Sequence, residues 1–256
     1  MSFIHAIILG IVEGLTEFLP ISSTGHQILV SSLLHIGQTD FVKSFEIIIQ
    51  VGAILAVVVL YSTDLWKWEI IKRLAVAFVP TGVIGLVLYK IVKNYLLGNN
   101  SIVLWSMFLG GITLILFERW YEKSQKEKLE QSLVEITYQQ AFIIGLFQSI
   151  AIIPGVSRSA ATIVGGLLLG IKRRTIVEFS FLLAVPTMIA ASGLDLLHSY
   201  KTLESGSLSI LLTGFVVAFL VAMAAVKYFI KYVQKHTFTP FGTYRILVAI
   251  IFWLFV

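Results

Sequence analysis

Apolar residues run through this chain in long blocks, and polar residues gather at a few places between them. Six blocks are long enough, or nearly so, to cross a bilayer core of about 30 Å, which takes about 20 helical residues. They lie at roughly 45–61, 74–92, 101–117, 177–196, 207–226 and 241–256. Two further stretches, about 3–35 and 141–170, are interrupted. Each reads as a short apolar helix, a break at Pro with Ser, and a second short helix. Neither piece is long enough to span, so each pair crosses as a broken helix or enters and returns on one side. Non-helical backbone at membrane depth is tolerated only where it is buried in protein or lines a wet cavity. The pattern predicts an all-α polytopic membrane protein.

Composition agrees. Hydrophobic residues make up 57% of the 256 and charged residues 13%, against about 25% charged in soluble domains. The mean hydropathy is +0.92. A soluble globular domain, a disordered chain and a fibrous repeat are excluded. The absence of cysteine excludes disulfides, thiolate metal sites and Fe–S clusters. Met1 to Leu19 has no Lys or Arg before its apolar run and no small-residue cleavage site after it, so this stretch is expected to remain in the mature protein.

The chain also repeats itself. AIILGIVEGLTEFLPISST (6–24) and AFIIGLFQSIAIIPGVSRS (141–159) align, pairing Ala6 with Ala141, Gly10 with Gly145, Pro20 with Pro154 and Ser23 with Ser157. At nearly the same offset Phe45 pairs with Phe179, Val51 with Val185, and Thr81-Gly82 with Thr213-Gly214. Ordered matches at one offset of half the chain indicate an internal duplication. Residues 1–117 form the first membrane repeat, 118–140 a linker and 141–256 the second. Each repeat has one re-entrant broken helix and three transmembrane helices. Three crossings is an odd number, so the repeats have inverted topology.

The net charge of +5 invites a nucleic-acid partner, but topology accounts for it. One side of the expected arrangement holds Lys67, Lys72, Arg73, Arg119, Lys123, Lys126, Lys128, Lys172, Arg173, Arg174, Lys227, Lys231 and Lys235. The other holds Lys43, Lys90, Lys93 and Lys201, and Arg158 and Arg245 complete the 19. A 13-to-4 bias makes the first side cytoplasmic and puts both termini outside. No nucleic-acid partner is expected, and bilayer lipids are the surroundings.

The polar residues that matter fall in the interrupted segments, because a charge at the centre of a membrane helix costs roughly 2.5–3.5 kcal/mol. Glu13 and Glu17, four apart, share a helical face. Two carboxylates in an apolar setting do not both ionise cheaply. Either one holds a proton, which suits acid–base work, or a divalent cation sits beside them. Pro20 then ends the helix, and Ser22 or Ser23 is placed to cap the next one. Ser23 and His26, three apart, put a hydroxyl and an imidazole on one face, the spacing of a nucleophile and its base. A capping serine with a structural histidine has the same spacing. In the second segment Pro154 and Gly155 open the backbone, and Ser157, Arg158, Ser159 and Thr162 follow. Hydroxyls and N–H groups at a helix start bind anions, and the Arg158 guanidinium matches phosphate oxygens bidentately. Pseudo-symmetry brings this start toward that of Ser22, Ser23 and Thr24. Glu46 and Gln50 either support the site from behind or face water, and Glu178 is expected in a surface ion pair.

Taken together, EGLTE (Glu13–Glu17), SSTGH (Ser22–His26) and PGVSRSAAT (Pro154–Thr162) resemble the motifs of the integral-membrane undecaprenyl-diphosphate phosphatases of bacterial cell-wall synthesis. The resemblance covers essentially the whole chain and matches the PGxSRSxxT pattern at every fixed position. It implies removal of the terminal phosphate of undecaprenyl diphosphate to give the monophosphate carrier, and with it bacitracin resistance. It also implies a divalent cation, Mg2+ or Ca2+, and a site open to the outer face of the bacterial plasma membrane. In that reading Ser23 is the nucleophile and His26 its proton partner. Glu13 and Glu17 hold the metal or move protons. Ser22, Thr24, Ser157, Arg158, Ser159 and Thr162 bind phosphate. A phosphohistidine at His26 and a metal-activated water are the rival nucleophiles. A transporter or flippase with the same architecture is the competing class. Whether the chain pairs as a homodimer is left open.

Overall fold

A computed structural model describes residues 1–37, 39–96, 99–124, 132–199 and 208–255, and every regular element among them is helical. The first half contains α1 (Phe3–Thr16), α2 (Ser23–Leu33), α3 (Asp40–Leu60), the single turn α4 (Ser62–Leu65), α5 (Trp68–Ile91) and α6 (Asn100–Ser124). The second contains α7 (Tyr138–Ser149), α8 (Arg158–Leu168), α9 (Arg173–Ser199), α10 (Leu208–Val233) and α11 (Thr239–Phe255). The linker residues 125–131, with Lys126 and Lys128, lie outside the described residues, as does Lys201.

Five helices, α3, α5, α6, α9 and α10, are long and apolar enough to cross a membrane. The sixth expected span, α11, has 17 residues, about 26 Å at 1.5 Å per residue, a little short of the bilayer core. Half of the apolar window is buried in α3 and in α9, against 17% in α5. The first two therefore form the centre of the bundle, and α5 presents most of its surface to lipid. The helices start where capping residues fall. Ser2 accepts from the His5 N–H at 3.3 Å. Thr39 accepts from the Val42 N–H. Thr137 and Gln140 make a reciprocal capping box.

Pairing follows the small residues. α1 lies on α10, α10 on α3, α7 on α5, α3 on α9 and α6 on α11. A Cβ added at Gly14 would sit 2.7 Å from the Ala218 carbonyl oxygen, and one added at Gly145 would collide with the Ala77 carbonyl. Only glycine lets these backbones approach so closely, which is how helices gain packing energy where lipid removes the hydrophobic drive. Thr81 and Gln148 tie the α5–α7 seam, with Thr81 Oγ1 donating to the Gly145 carbonyl at 2.9 Å and Gln148 Nε2 donating to Thr81 Oγ1 at 2.9 Å. At the far end of the bundle from the breaks, fully buried Glu118 on α6 accepts from Arg173 at the start of α9. The Arg173 guanidinium lies over the rings of Tyr121 and Phe238. Glu178 is in the expected pair with exposed Arg174, at 2.9 Å.

Both interrupted segments break where their sequences predict. α1 and α2 have 14 and 11 residues, and α7 and α8 have 12 and 11. α1 packs on α2, and α7 packs on α8. In the first break Ser22 adopts φ +72°, a left-handed conformation that is strained for a residue with a side chain. In the second, Gly155 takes φ +88°, where glycine is unstrained. Its missing side chain also lets the loop rest on the backbone of Val103.

Candidate active site

The two breaks meet. Ser159 Oγ donates to the Phe18 carbonyl at 2.8 Å, and Ser157 Oγ donates to the Leu19 carbonyl at 3.4 Å. The second loop is therefore laced to the first across 138 to 141 residues of sequence. Between them opens a cavity of about 240 Å3. Both helix starts line it, through Ser22, Ser23 and Thr24 on one side and Ser157 and Arg158 on the other. Glu17 and Gln50 add polar groups, and Met188 and Ala191 close an apolar wall. Each start is capped by its own serine. Ser22 Oγ accepts from the Gly25 N–H at 3.3 Å, and Ser157 Oγ accepts from the Ala160 N–H at 3.2 Å. The first-turn N–H groups and the positive ends of two helix dipoles are thus presented to one small volume.

Glu17 is the hub. Its Oε2 accepts from Ser23 Oγ at 2.5 Å, and its Oε1 faces Arg158 Nη2 at 3.3 Å. Arg158 also donates through Nη1 to the Ser180 carbonyl at 3.0 Å, while its buried Nε has no partner. Four expected residues, Glu17, Ser23, Ser157 and Arg158, therefore stand together on the cavity, with Ser22 and Thr24 beside them. Gln50, read as either supporting or solvated, lines the cavity.

The structure does not bring His26 to Ser23. Its Nδ1 is 2.7 Å from the Ser22 carbonyl, which can only accept, so Nδ1 carries a proton. In the neutral ring Nε2 then accepts from the Tyr244 hydroxyl at 2.8 Å. The two rings lie nearly parallel, with centroids 5.4 Å apart. Both nitrogens are engaged, and the Ser23 hydroxyl is bonded to Glu17 instead. Ser159 and Thr162 are fully buried and do not line the cavity. Ser159 serves the loop-to-loop bond. Thr162 Oγ1 is 2.6 Å from Ser180 Oγ, and so supports the residue whose carbonyl holds Arg158. Glu13 stands behind the cavity. Its Oε2 accepts from Gln27 Nε2 at 3.1 Å, and its Oε1 is buried without a partner.

Three residues carry weight here that the sequence reading did not assign. Gln27 fixes Glu13. Tyr244 holds His26. Arg245, 1% exposed, donates to four backbone carbonyls: Met107 at 3.2 Å, Pro20 at 3.3 Å, Ser106 at 3.1 Å and Gly155 at 3.1 Å. The signal for Arg245 was present, since an arginine inside an apolar span is costly and marks a functional position. Tyr244 and Gln27 gave none, because a tyrosine or glutamine in a membrane helix is compatible with many places.

A chain with these motifs matches known proteins along its length. The family model described as bacitracin resistance protein BacA matches residues 6–251. The undecaprenyl-diphosphatase of Persephonella marina is 54% identical, with all of both chains covered. That of Wolinella succinogenes is also 54% identical over 98% of this chain and 97% of its own, and that of Aquifex aeolicus 50% identical over the same shares.

Proposed function

The chain belongs to the bacitracin resistance protein BacA family, and from that premise we propose that its cavity hydrolyses undecaprenyl diphosphate with Ser23 as nucleophile. The product is undecaprenyl phosphate, the lipid carrier reused in cell-wall synthesis, and the activity confers bacitracin resistance. The observation that carries the assignment is the 2.5 Å hydrogen bond from Ser23 Oγ to Glu17. A hydroxyl becomes a competent nucleophile when a base is in contact with its proton, and Glu17 is that base here. Ser23 Oγ attacks the terminal phosphorus as its proton passes to Glu17. The bond from that phosphorus to the bridging oxygen breaks, and undecaprenyl phosphate leaves. Water then attacks the phosphoserine, releases inorganic phosphate and restores the hydroxyl. Arg158 and the two helix starts meet the charge that builds on the phosphoryl oxygens.

His26 belongs to this site as the group that holds Ser22 in its strained conformation. Acting on Ser23 directly would require its ring to leave Tyr244. Ser22, Thr24 and Ser157 contact phosphate oxygens from the helix starts. Ser159 and Thr162 act through the loop and Arg158 that they hold. A divalent cation, Mg2+ or Ca2+, fits the donor set. Two oxygens behind the cavity, Glu13 Oε1 and Gln27 Oε1, are hard, buried and unpartnered. Among the described residues no three carboxylates or histidines stand together, so substrate oxygens would complete the coordination, as Mg2+ sites favour. Glu13 and Gln27 would hold the ion, and Glu17 would join by giving up one of its two bonds. When bound, such an ion neutralises phosphate charge.

We also read the halves 1–117 and 141–256 as inverted repeats around a cytoplasmic linker, 118–140. What supports this is an exchange of partners. α1 of the first half lies on α10 of the second, and α7 of the second lies on α5 of the first. The corresponding central helices, α3 and α9, pair with each other, as do α6 and α11. With the 13-to-4 charge bias, this reading places the protein in the plasma membrane with both termini and the cavity toward the outer face. The polyprenyl tail stays in the bilayer while the diphosphate enters. The test is phosphate release from a polyprenyl diphosphate by the purified protein in detergent, with and without a chelator. Release that the chelator abolishes and added Mg2+ or Ca2+ restores supports both the activity and the cation. No release in any condition overturns the reading.

A further inference from the structure

Arg245 lies outside both breaks and touches each of them. On α11, its Nη1 donates to the carbonyl of Pro20, in the turn between α1 and α2, at 3.3 Å. Its Nη2 donates to the carbonyl of Gly155, in the second break, at 3.1 Å. The remaining bonds, from Nε to Met107 and from Nη2 to Ser106, anchor the same guanidinium to α6. All four acceptors are backbone carbonyls, and among the described residues no carboxylate is paired with it. A buried, unpaired charge inside a membrane protein is expensive. Simple packing does not explain its presence, since an apolar residue would fill the space without that cost.

Ser106 and Met107 lie within α6, but among the described residues the Pro20 and Gly155 carbonyls accept no backbone N–H. Neither break continues a helix, so Pro20 and Gly155 have lost their regular acceptor role. A planar guanidinium with five donors can meet carbonyls from three separate segments simultaneously. A lysine ammonium is a single point and cannot span them. The same fork ties one carbonyl of each break to α6.

We infer that Arg245 is a positioning residue for the diphosphatase reaction, fixing the two anion-binding helix starts at one spacing so that Ser23 and Arg158 act on the same phosphoryl group. This deepens the reading of the cavity as the hydrolytic site and rests on it. A displacement of about 1 Å far from the reacting atoms is enough to cost on the order of 10²-fold in rate.

The chain has no native cysteine, so spin labels placed at exposed Leu33 and Leu168, the far ends of α2 and α8, report their separation by pulsed dipolar spectroscopy. The test compares the doubly labelled protein with the same protein carrying Arg245→Lys, measuring the distance distribution and kcat per folded molecule in detergent. The expected result is a shifted or broadened distribution and a fall in kcat of on the order of 10²-fold. Activity within threefold of the parent overturns the inference. So does a large loss of activity with an unchanged distribution, which would assign Arg245 an effect other than on the spacing of the helix starts. If Arg245→Lys does not survive extraction, Gly110→Ala carries the test. A Cβ at Gly110 would sit 2.9 Å from Arg245 Cζ, which displaces the guanidinium while keeping arginine and its charge. An altered distance with reduced kcat is expected, and parental values for both overturn the inference. An inactive parent protein with an altered distance in the variants would instead fault the hydrolytic reading and leave the positioning role standing.

Discussion

Replacing Arg158 with lysine keeps the charge and removes the fork. In the structure Nη1 bonds the Ser180 carbonyl at 3.0 Å and Nη2 faces Glu17 at 3.3 Å, which leaves the unpartnered Nε edge of the same plane for a phosphate oxygen. A lysine ammonium placed against Glu17 has no second rigid donor to aim at the phosphoryl group. Losing one such preorganised donor costs about 10²–10³ in turnover, or about 2.7–4 kcal/mol of transition-state stabilisation. Alanine should lose a similar factor in turnover and also stability. It leaves Glu17, whose side chain is 5% exposed, as a buried charge without its partner, and breaking a buried pair in that way costs about 3–5 kcal/mol. The assay is steady-state phosphate release by both purified variants, with thermal unfolding in the same detergent. The expected pattern is two nearly equal losses of turnover, with only the alanine protein markedly less stable. A lysine variant within a few-fold of wild type would refute the reasoning. It would make Arg158 a structural cation and leave only the helix starts to hold the diphosphate.

Glu17→Gln should lower kcat far more than Glu13→Gln, because Glu17 touches Ser23 and Glu13 does not. Equal losses in phosphate-release assays would remove Glu17 from the role of base. The Glu13 variant should chiefly raise the Mg2+ or Ca2+ concentration needed for half-maximal activity, and an unchanged metal titration would take Glu13 out of the cation site. Glu118→Ala, far from the cavity, should cost about 3–5 kcal/mol of stability through the stranded Arg173 charge while leaving the kcat of the folded fraction unchanged. Thermal unfolding and activity measured together check this. Single cysteines at Ser2 and Glu122 should be labelled from outside and only after permeabilisation, respectively, and the opposite pattern in intact cells would invert the topology.

Much of the site was legible because membrane burial makes polar residues conspicuous. Glu13, Glu17, Ser22, Ser23, Ser157 and Arg158 interrupt apolar text, and proline or glycine beside them announces broken backbone. The fold was legible for the same reason, down to the helix starts at Ser22 and Ser157. What could not be read was partner choice within the site. The i,i+3 spacing of Ser23 and His26 is equally satisfied by a dyad and by a turn. The outcome was decided by a Tyr244 hydroxyl 218 residues away and by the end of α1, which carries Glu17 to Ser23. Ser159 and Thr162 sit in a phosphate-binding pattern, yet helix periodicity turns them onto Phe18 and Ser180. The last segment looked like one more span. Its 17 residues deliver Tyr244 and Arg245 to the breaks, a long-range placement that no local pattern encodes.

The central claim is that Ser23, activated by Glu17, is the atom that attacks. Substituting Ser23→Ala removes only one hydroxyl, and the measurement is phosphate release from undecaprenyl diphosphate by wild-type and variant proteins purified side by side, normalised to folded protein. The account predicts a loss of at least on the order of 10³-fold for the alanine variant, comparable to removing an activated nucleophile. A variant that retains a tenth or more of wild-type turnover would contradict it and hand the attack to His26 or to water.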